Sequence, residues 1–371
     1  MSGVRHLYVH LPFCAHRCGY CDFVTIVGRR GSHEAYVDAL LAELALEGDV
    51  LARELETVYL GGGTPTYTEP AALERLICSL PRAAELSIEA NPETVTPALA
   101  ELLSRNGANR VSVGAQSFDR TLLSVLERRA RPDDVRRAVH TFRDANIDNI
   151  SLDLVYGIPG QSTSDLERDL AEALALGPQH LSCYELEAKP GTRFTHNFGD
   201  ELARQSEALE GYFEQVVDTL TAAGYRWYET ANFCRRPEQD GGRDLRSRHN
   251  LAYWLGRDYL GLGIGAVSTV GSVRWKNTPR LPAYLDSLAS GTRPPRELEP
   301  LADDVKQRER VMLGLRLDEP LALASVEAAL DGEALARLER LGLAARSGGK
   351  TLTLTPRGRL LGGGVTAELL A

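Results

Sequence analysis

Cys14, Cys18 and Cys21 stand in one short stretch, Phe13-Cys14-Ala15-His16-Arg17-Cys18-Gly19-Tyr20-Cys21-Asp22-Phe23. Three residues separate the first two thiols and two separate the second and third. Three thiolates can hold three irons of a 4Fe–4S cubane. The fourth iron is then open to a chelating small molecule, whereas a structural cluster normally takes four cysteines. The spacing therefore points to a reactive cluster. Zinc is the alternative, but its structural sites usually pair such a spacing with a second, distant Cys/His pair. None stands out, although His10 and His16 lie near. A disulfide suits neither so tight a group nor its odd count. Cys78, Cys183 and Cys234 are scattered and read as core or incidental thiols.

The elements that must position this loop alternate along the chain. Residues 7–11 read as a strand running straight into the cysteines, and 35–51 as a helix that Ser32 can cap. Strands follow at 57–60, 85–89, 110–114, 149–155 and 180–185, with a further one at 226–230. Helices lie between them at 71–80, 97–104, 120–127, 133–145, 163–176 and 201–223. Six β-α units predict an α/β fold, a partial (β/α)6 TIM-like barrel spanning residues 1–232. The strands are rich in Val, Ile and Leu, as expected of strands covered on both faces. The unusual polar residues cluster at strand C-terminal ends, where barrel chemistry sits.

Residues 233–295 are rich in Gly, Arg and aromatics and read as a connecting region, with Thr292-Arg293-Pro294-Pro295 as a linker. Residues 296–371 read as a winged-helix-like module. Its helices are expected at 301–315, 322–329 and 333–341, before a hairpin at 343–355 that turns at Gly348-Gly349. Such modules often bind DNA, but both charge signs and the tether to a barrel favour a structural or lid role. The chain has 371 residues, 43% of them hydrophobic, and a net charge of −9, which disfavours bulk nucleic-acid binding. The start lacks the apolar core of a secretory signal, and no stretch reaches the ~18 apolar residues of a membrane helix. A cytoplasmic protein with reduced thiols is expected.

Further motifs stand at strand ends. They are Tyr8, Gly61-Gly62-Gly63-Thr64-Pro65-Thr66, Glu89-Ala90-Asn91-Pro92-Glu93, Gly114-Ala115-Gln116-Ser117-Phe118, Arg128, and the run from Asp153 to Gly160. Together with the cysteines they resemble the radical S-adenosylmethionine (SAM) superfamily. The resemblance is to its coproporphyrinogen-dehydrogenase-like branch, which includes the HemW-type heme chaperones. It implies that SAM chelates the open iron and that an electron from the reduced cluster cleaves its S–C5′ bond. The same resemblance assigns Tyr8, Gly62, Gly63, Thr64, Glu89, Gln116, Arg128 and Asp153 to the SAM shell. Glu89 suits ribose hydroxyls, and the glycine run lets backbone groups approach the methionyl end. No Lys-Ser/Thr follows the run, so it is not a P-loop. Gly261, Gly263 and Gly265 lack a dinucleotide-binding context and read as close backbone packing.

Three features sort the branch. The dehydrogenases carry a fourth cysteine two residues after the third, where this chain has Phe23. They also carry a longer N-terminal extension. His249-Asn250-Leu251-Ala252-Tyr253-Trp254 matches the H-N-x-x-Y-W motif of the heme chaperones. The resemblance implies His249 as a heme ligand, with Tyr253 and Trp254 as flat surface. Arg235, Arg236, Arg243, Arg246 and Arg248 are candidates to pair with propionates. The expectation is a heme chaperone that delivers to an acceptor hemoprotein, with respiratory hemoproteins among the candidates, and an electron donor for the cluster. The alternatives are an oxygen-independent coproporphyrinogen III oxidase and a radical SAM methyltransferase.

Overall fold

The computed structural model describes residues 3–189 and 193–370. From the N-terminus, β1 (His6–Leu11) leads to two short strands, β2 (Phe13–Cys14) and β3 (Ile26–Val27), which pair with each other and bracket the cysteine loop. There follow α1 (His33–Glu47), β4 (Leu55–Gly62), α2 (Pro70–Ser79), β5 (Ala83–Ala90), α3 (Pro97–Arg105) and β6 (Arg110–Gln116). Next come α4 (Arg120–Val125), α5 (Pro132–Asp144), β7 (Asn149–Tyr156), α6 (Thr163–Ala175), β8 (His180–Glu185), α7 (Arg193–Ser206) and α8 (Leu209–Ala222). The chain continues through β9 (Tyr225–Glu229), β10 (Asn232–Arg235), α9 (Arg248–Trp254) and β11 (Leu260–Leu262).

These strands form one sheet in the order β11-β1-β4-β5-β6-β7-β8-β10-β9. Pairing is parallel from β11 to β8, and β10 runs antiparallel to both of its neighbours. The connecting region thus contributes two strands to the barrel sheet. Its glycines allow this: a Cβ on Gly261 would lie 2.2 Å from the Val267 carbonyl oxygen, and one on Gly263 would lie 2.6 Å from the Tyr36 hydroxyl.

The expectation that the strands are apolar on both faces is corrected. Successive side chains point to opposite faces. Leu7, Val58, Ile88, Val111, Leu152 and Leu181 face outward into the main core under the helices. Between them stand Tyr8, Tyr59, Glu89, Ser112, Asp153 and Ser182, which face inward. Most of that inner set borders a cavity of about 440 Å³. Many TIM-like barrels fill this space with branched apolar side chains. Here the interior is hollow and polar.

Beyond the barrel, β12 (Val267–Val270), β13 (Val273–Asn277), α10 (Leu281–Ala289) and β14 (Arg296–Pro300) follow, and the three strands make an antiparallel sheet. Residues 296–300 therefore pair with the connecting region. The C-terminal module has its own core around Val311, Val326, Leu335 and Leu352. It comprises α11 (Asp303–Gly314), β15 (Leu321–Ala322), α12 (Gly332–Arg340), β16 (Ala344–Ser347), β17 (Thr351–Leu354), α13 (Pro356–Leu360) and α14 (Gly362–Leu369). The helix expected at 322–329 is instead a strand residue followed by two 3-10 turns, because the backbone at 321–322 pairs with β17. The expected turn is present: Gly348 and Gly349 have φ of 55° and 65°, and with Lys350 they form the three-residue loop between the paired Ser347 and Thr351. Among the described residues no helix is long and apolar enough to cross a membrane.

Candidate functional site

The cysteine loop sits over the C-terminal end of the barrel. Cys14 ends β2 and is buried, while Cys18 and Cys21 are half-buried, and all three thiols border the barrel cavity. Backbone bonds fix both ends of the loop. Ile26 N–H donates to the Pro12 carbonyl at 2.8 Å, and Gly28 N–H to that of Cys14 at 3.2 Å. His10 holds the middle. Its Nε2 donates to the Val24 carbonyl at 2.8 Å, which leaves Nδ1 to accept from the Tyr8 hydroxyl at 3.0 Å. Burial lowers the His10 pKa to about 4, so the ring stays neutral. Burial also pushes the Cys14 thiol up to about 11. A bare thiolate is costly there, and bound iron would offset that cost.

The glycine run serves the same loop. Gly63 N–H donates to the Leu11 carbonyl at 2.8 Å, and Thr64 N–H to that of Phe13 at 2.9 Å. A Cβ on Gly62, where φ is 112°, would meet the His10 ring at 2.5 Å. One on Gly63 would meet the Pro12 carbonyl oxygen at 2.5 Å. These glycines are thus required by the protein's own packing, whatever they also offer a ligand.

A polar relay joins three strand ends to the cysteines. Arg128 Nη2 donates to Asn91 Oδ1 at 3.1 Å and to the Gly114 carbonyl at 2.9 Å, and its Nη1 lies 3.6 Å from Cys18 Sγ. Asn91 Nδ2 donates to Thr64 Oγ1 at 3.0 Å, and Thr64 Oγ1 lies 3.4 Å from Cys14 Sγ. Asn91 was quoted in the strand-end motif but not singled out. Its signal was its place just past the third strand, opposite the glycine run. Gln116 has a φ of 64°, rare for a non-glycine residue, at a register shift between β6 and β7.

Two of the carboxylates that line the cavity, Glu89 and Asp153, stand on its inner strands. Glu89 accepts from the Tyr59 hydroxyl at 2.9 Å and from Gly62 N–H at 2.9 Å. Burial pushes it up to about 7. Asp153 accepts from Ser112 Oγ at 3.0 Å, and burial raises it too, with the serine hydroxyls opposing. The inward serines were not foreseen; the period-2 polar alternation along the strands was their signal.

His249 lies at the other end of the barrel. Its Nδ1 is 2.8 Å from Thr57 Oγ1 and its Nε2 is 2.9 Å from the Tyr253 hydroxyl. The ring stacks on Tyr59 at 5.0 Å and is 1% exposed. Burial, with a smaller push from His6, lowers its pKa to about 3. A neutral imidazole with both nitrogens engaged has none free for iron. In this arrangement His249 does not meet the expectation of a heme ligand. Its backbone N–H and that of Arg248 reach Glu85, each at 3.3 Å, which docks α9 under the barrel. Two of the five expected propionate partners are engaged with carboxylates: Arg243 pairs with Asp148 and Asp240, and Arg246 with Asp244 and Glu319.

The Radical SAM superfamily model matches residues 8–173. Heme chaperone HemW of Mycobacterium tuberculosis (strain H37Rv) is 37% identical, over 98% of this chain and 94% of that protein. The HemW of Bacillus subtilis (strain 168) is 32% identical, over 84% of this chain and 83% of that protein. The chain belongs to the HemW family of the radical SAM superfamily. Coproporphyrinogen III oxidase (HemN) from Escherichia coli, described as a radical SAM enzyme, shares the fold. That match has a TM-score of 0.82 at 24% identity and covers 99% of this chain and 90% of that one.

Family membership implies a 4Fe–4S cluster and SAM. The residues present fit both. Three thiols border one cavity with a cationic guanidinium beside them. Among the described residues Arg128 Nε is buried without a partner, a donor left over for a ligand.

Proposed function

We propose that this chain is a heme chaperone, which binds heme and passes it to an acceptor hemoprotein from a radical SAM scaffold. The observation that carries the reading is the 37% identity to a heme chaperone over 98% of the chain, C-terminal module included. Phe23 supports it: the position two residues after Cys21 holds a side chain that is 66% exposed and cannot ligate iron.

In this reading Cys14, Cys18 and Cys21 hold the cluster. Tyr8, Gly62, Gly63, Thr64, Glu89, Gln116, Arg128 and Asp153 form the SAM shell. When bound and reduced, the cluster supplies an electron able to cleave the SAM sulfonium. Arg128 offers a fork suited to a carboxylate. Glu89 and Asp153 keep acceptor capacity for hydroxyls, since each carboxylate oxygen has two lone pairs. Tyr8 acts through His10, which positions the loop. The acceptor is a hemoprotein, with a respiratory one favoured, and a separate protein donates electrons to the cluster.

Anaerobic reconstitution followed by parallel assays tests the reading. Hemin titration is expected to give a Soret band at one heme per chain, and coproporphyrinogen III with reductant and SAM to remain unchanged. Formation of protoporphyrinogen IX would identify a decarboxylase instead.

A further inference from the structure

The left-handed φ of Gln116 is unlike the others in the molecule. Among the described residues Arg29, Glu127 and Asn146 are the other non-glycine positions with positive φ. Glu127 and Asn146 follow α4 and α5, where such a residue commonly stops a helix, and Arg29 precedes a 3-10 turn. Gln116 instead ends a strand. Ser117 N–H donates to the Ala115 carbonyl at 2.8 Å, which closes a three-residue turn centred on Gln116. With positive φ at its centre, this is the rare and strained form of the γ-turn. Such a conformation persists only where its surroundings impose it.

The turn folds the Gln116 amide back over Gly114. A Cβ on Gly114 would lie 2.9 Å from Gln116 Nε2, 3.4 Å from Arg128 Nη2 and 3.7 Å from Asn91 Oδ1. Three polar side chains thus converge where β6 carries none, and all three border the barrel cavity. Among the described residues no hydrogen bond engages the Gln116 amide, so its donors and acceptor are open to a ligand.

The group that imposes the turn comes from α6. Asp169 is 2% exposed and does not border the cavity. Its Oδ2 accepts from Ser117 Oγ at 2.7 Å and its Oδ1 from Phe118 N–H at 2.6 Å. Ser117 is itself buried, and its Oγ also accepts from Asp119 N–H at 3.0 Å. One carboxylate therefore grips both residues that follow Gln116, through hydrogen bonds of the stronger, charge-assisted kind. The other buried residues of α6, Leu166, Leu170 and Ala173, are apolar. A carboxylate in that row carries a desolvation cost that packing alone does not require.

We propose that Asp169 is a positioning residue for SAM: by holding Ser117 and Phe118 it maintains the strained turn that presents the Gln116 amide, beside Arg128 and Asn91, to the cavity. This rests on the reading of Gln116 as part of the SAM shell. A turn already held before SAM arrives spares the ligand the cost of forming it.

The test measures SAM affinity by calorimetry, with thermal unfolding alongside, on the anaerobically reconstituted full chain. Asp169→Asn keeps the shape and loses the charge, and it is expected to weaken SAM binding about tenfold. Gln116→Gly takes the same φ without strain and loses the amide, with a similar loss of about tenfold. The two losses should not add: in the Gln116→Gly background, Asp169→Asn should change the affinity by less than about twofold. Asp165→Ala breaks the capping box of the same helix. It should lower the melting temperature and leave SAM affinity unchanged. Should Asp169→Asn fail to fold, Ser117→Ala removes one of the two bonds and carries the same expectations. If the unmodified chain binds no SAM, or Gln116→Gly binds it equally well, the SAM-shell reading fails and the proposal with it. If Gln116→Gly weakens SAM and Asp169→Asn does not, or if the two losses add, the positioning role alone is overturned. If Asp165→Ala weakens SAM as much as Asp169→Asn does, the loss belongs to α6 as a whole, which also overturns the proposal.

Discussion

At the scale of single residues, His249 and Arg128 have opposite relations to their surroundings. His249 has every polar atom satisfied and the ring packed between tyrosines. Its removal strands Thr57 and Tyr253 and leaves a void, so His249→Ala is expected to cost about 2–4 kcal/mol of stability. Thermal unfolding measures this. Arg128 keeps a spare buried donor beside the cysteines. Lysine has no fork, so Arg128→Lys is expected to weaken SAM binding about tenfold. Calorimetry on the anaerobic holoprotein reads that loss, and an unchanged melting temperature separates it from misfolding. The cysteines were legible because local spacing alone carries their meaning. Asn91 was not, because its value lies in reaching Thr64 and Arg128 from separate elements.

Among elements, the loop and the barrel edge depend on close contacts. Gly62→Ala would drive a Cβ to 2.5 Å from the His10 ring at a φ of 112°. It is expected to cost about 1–3 kcal/mol and to lower the iron retained per chain. Metal analysis alongside thermal melts checks both. Glu43 of α1 ties down the closing edge. It accepts from Gly263 N–H at 2.8 Å, Asn277 Nδ2 at 2.6 Å and the Tyr284 hydroxyl at 2.6 Å. Burial outweighs these bonds and raises its pKa from 4.5 to about 7. The folded state then holds a proton that the unfolded state has lost. This contribution to stability is present below about pH 4.5 and is lost as pH rises towards 7. Melting temperature against pH should decline through that window, and Glu43→Gln should flatten the decline. The β-α alternation was readable from periodicity. The strand at 260–262 was not, because three glycine-rich residues carry little pattern and owe their pairing to β1.

For the whole molecule, the C-terminal module is bound to the barrel by buried charge. Glu229 is 0% exposed and is met by Arg316 at 2.6 Å, and Arg226 and Asp318 pair at 2.7 Å. The Arg359 guanidinium lies 3.7 Å from the centre of the Trp227 ring. Arg316→Ala leaves Glu229 buried and unpaired, with an expected loss of about 3–5 kcal/mol. Hydrogen exchange in α11 and β9 should rise together if this contact holds the module in place. The sequence by itself determined the cysteine spacing, the α/β order and the family resemblance, since these rest on local spacing and periodicity. Only the tertiary structure decided that the barrel is hollow and lined by polar residues, that His249 is buried against Thr57 and Tyr253, and that Glu229 meets Arg316 of the C-terminal module. Each of these is a relation between segments far apart in the chain, and no local pattern encodes which faces of two distant elements will meet.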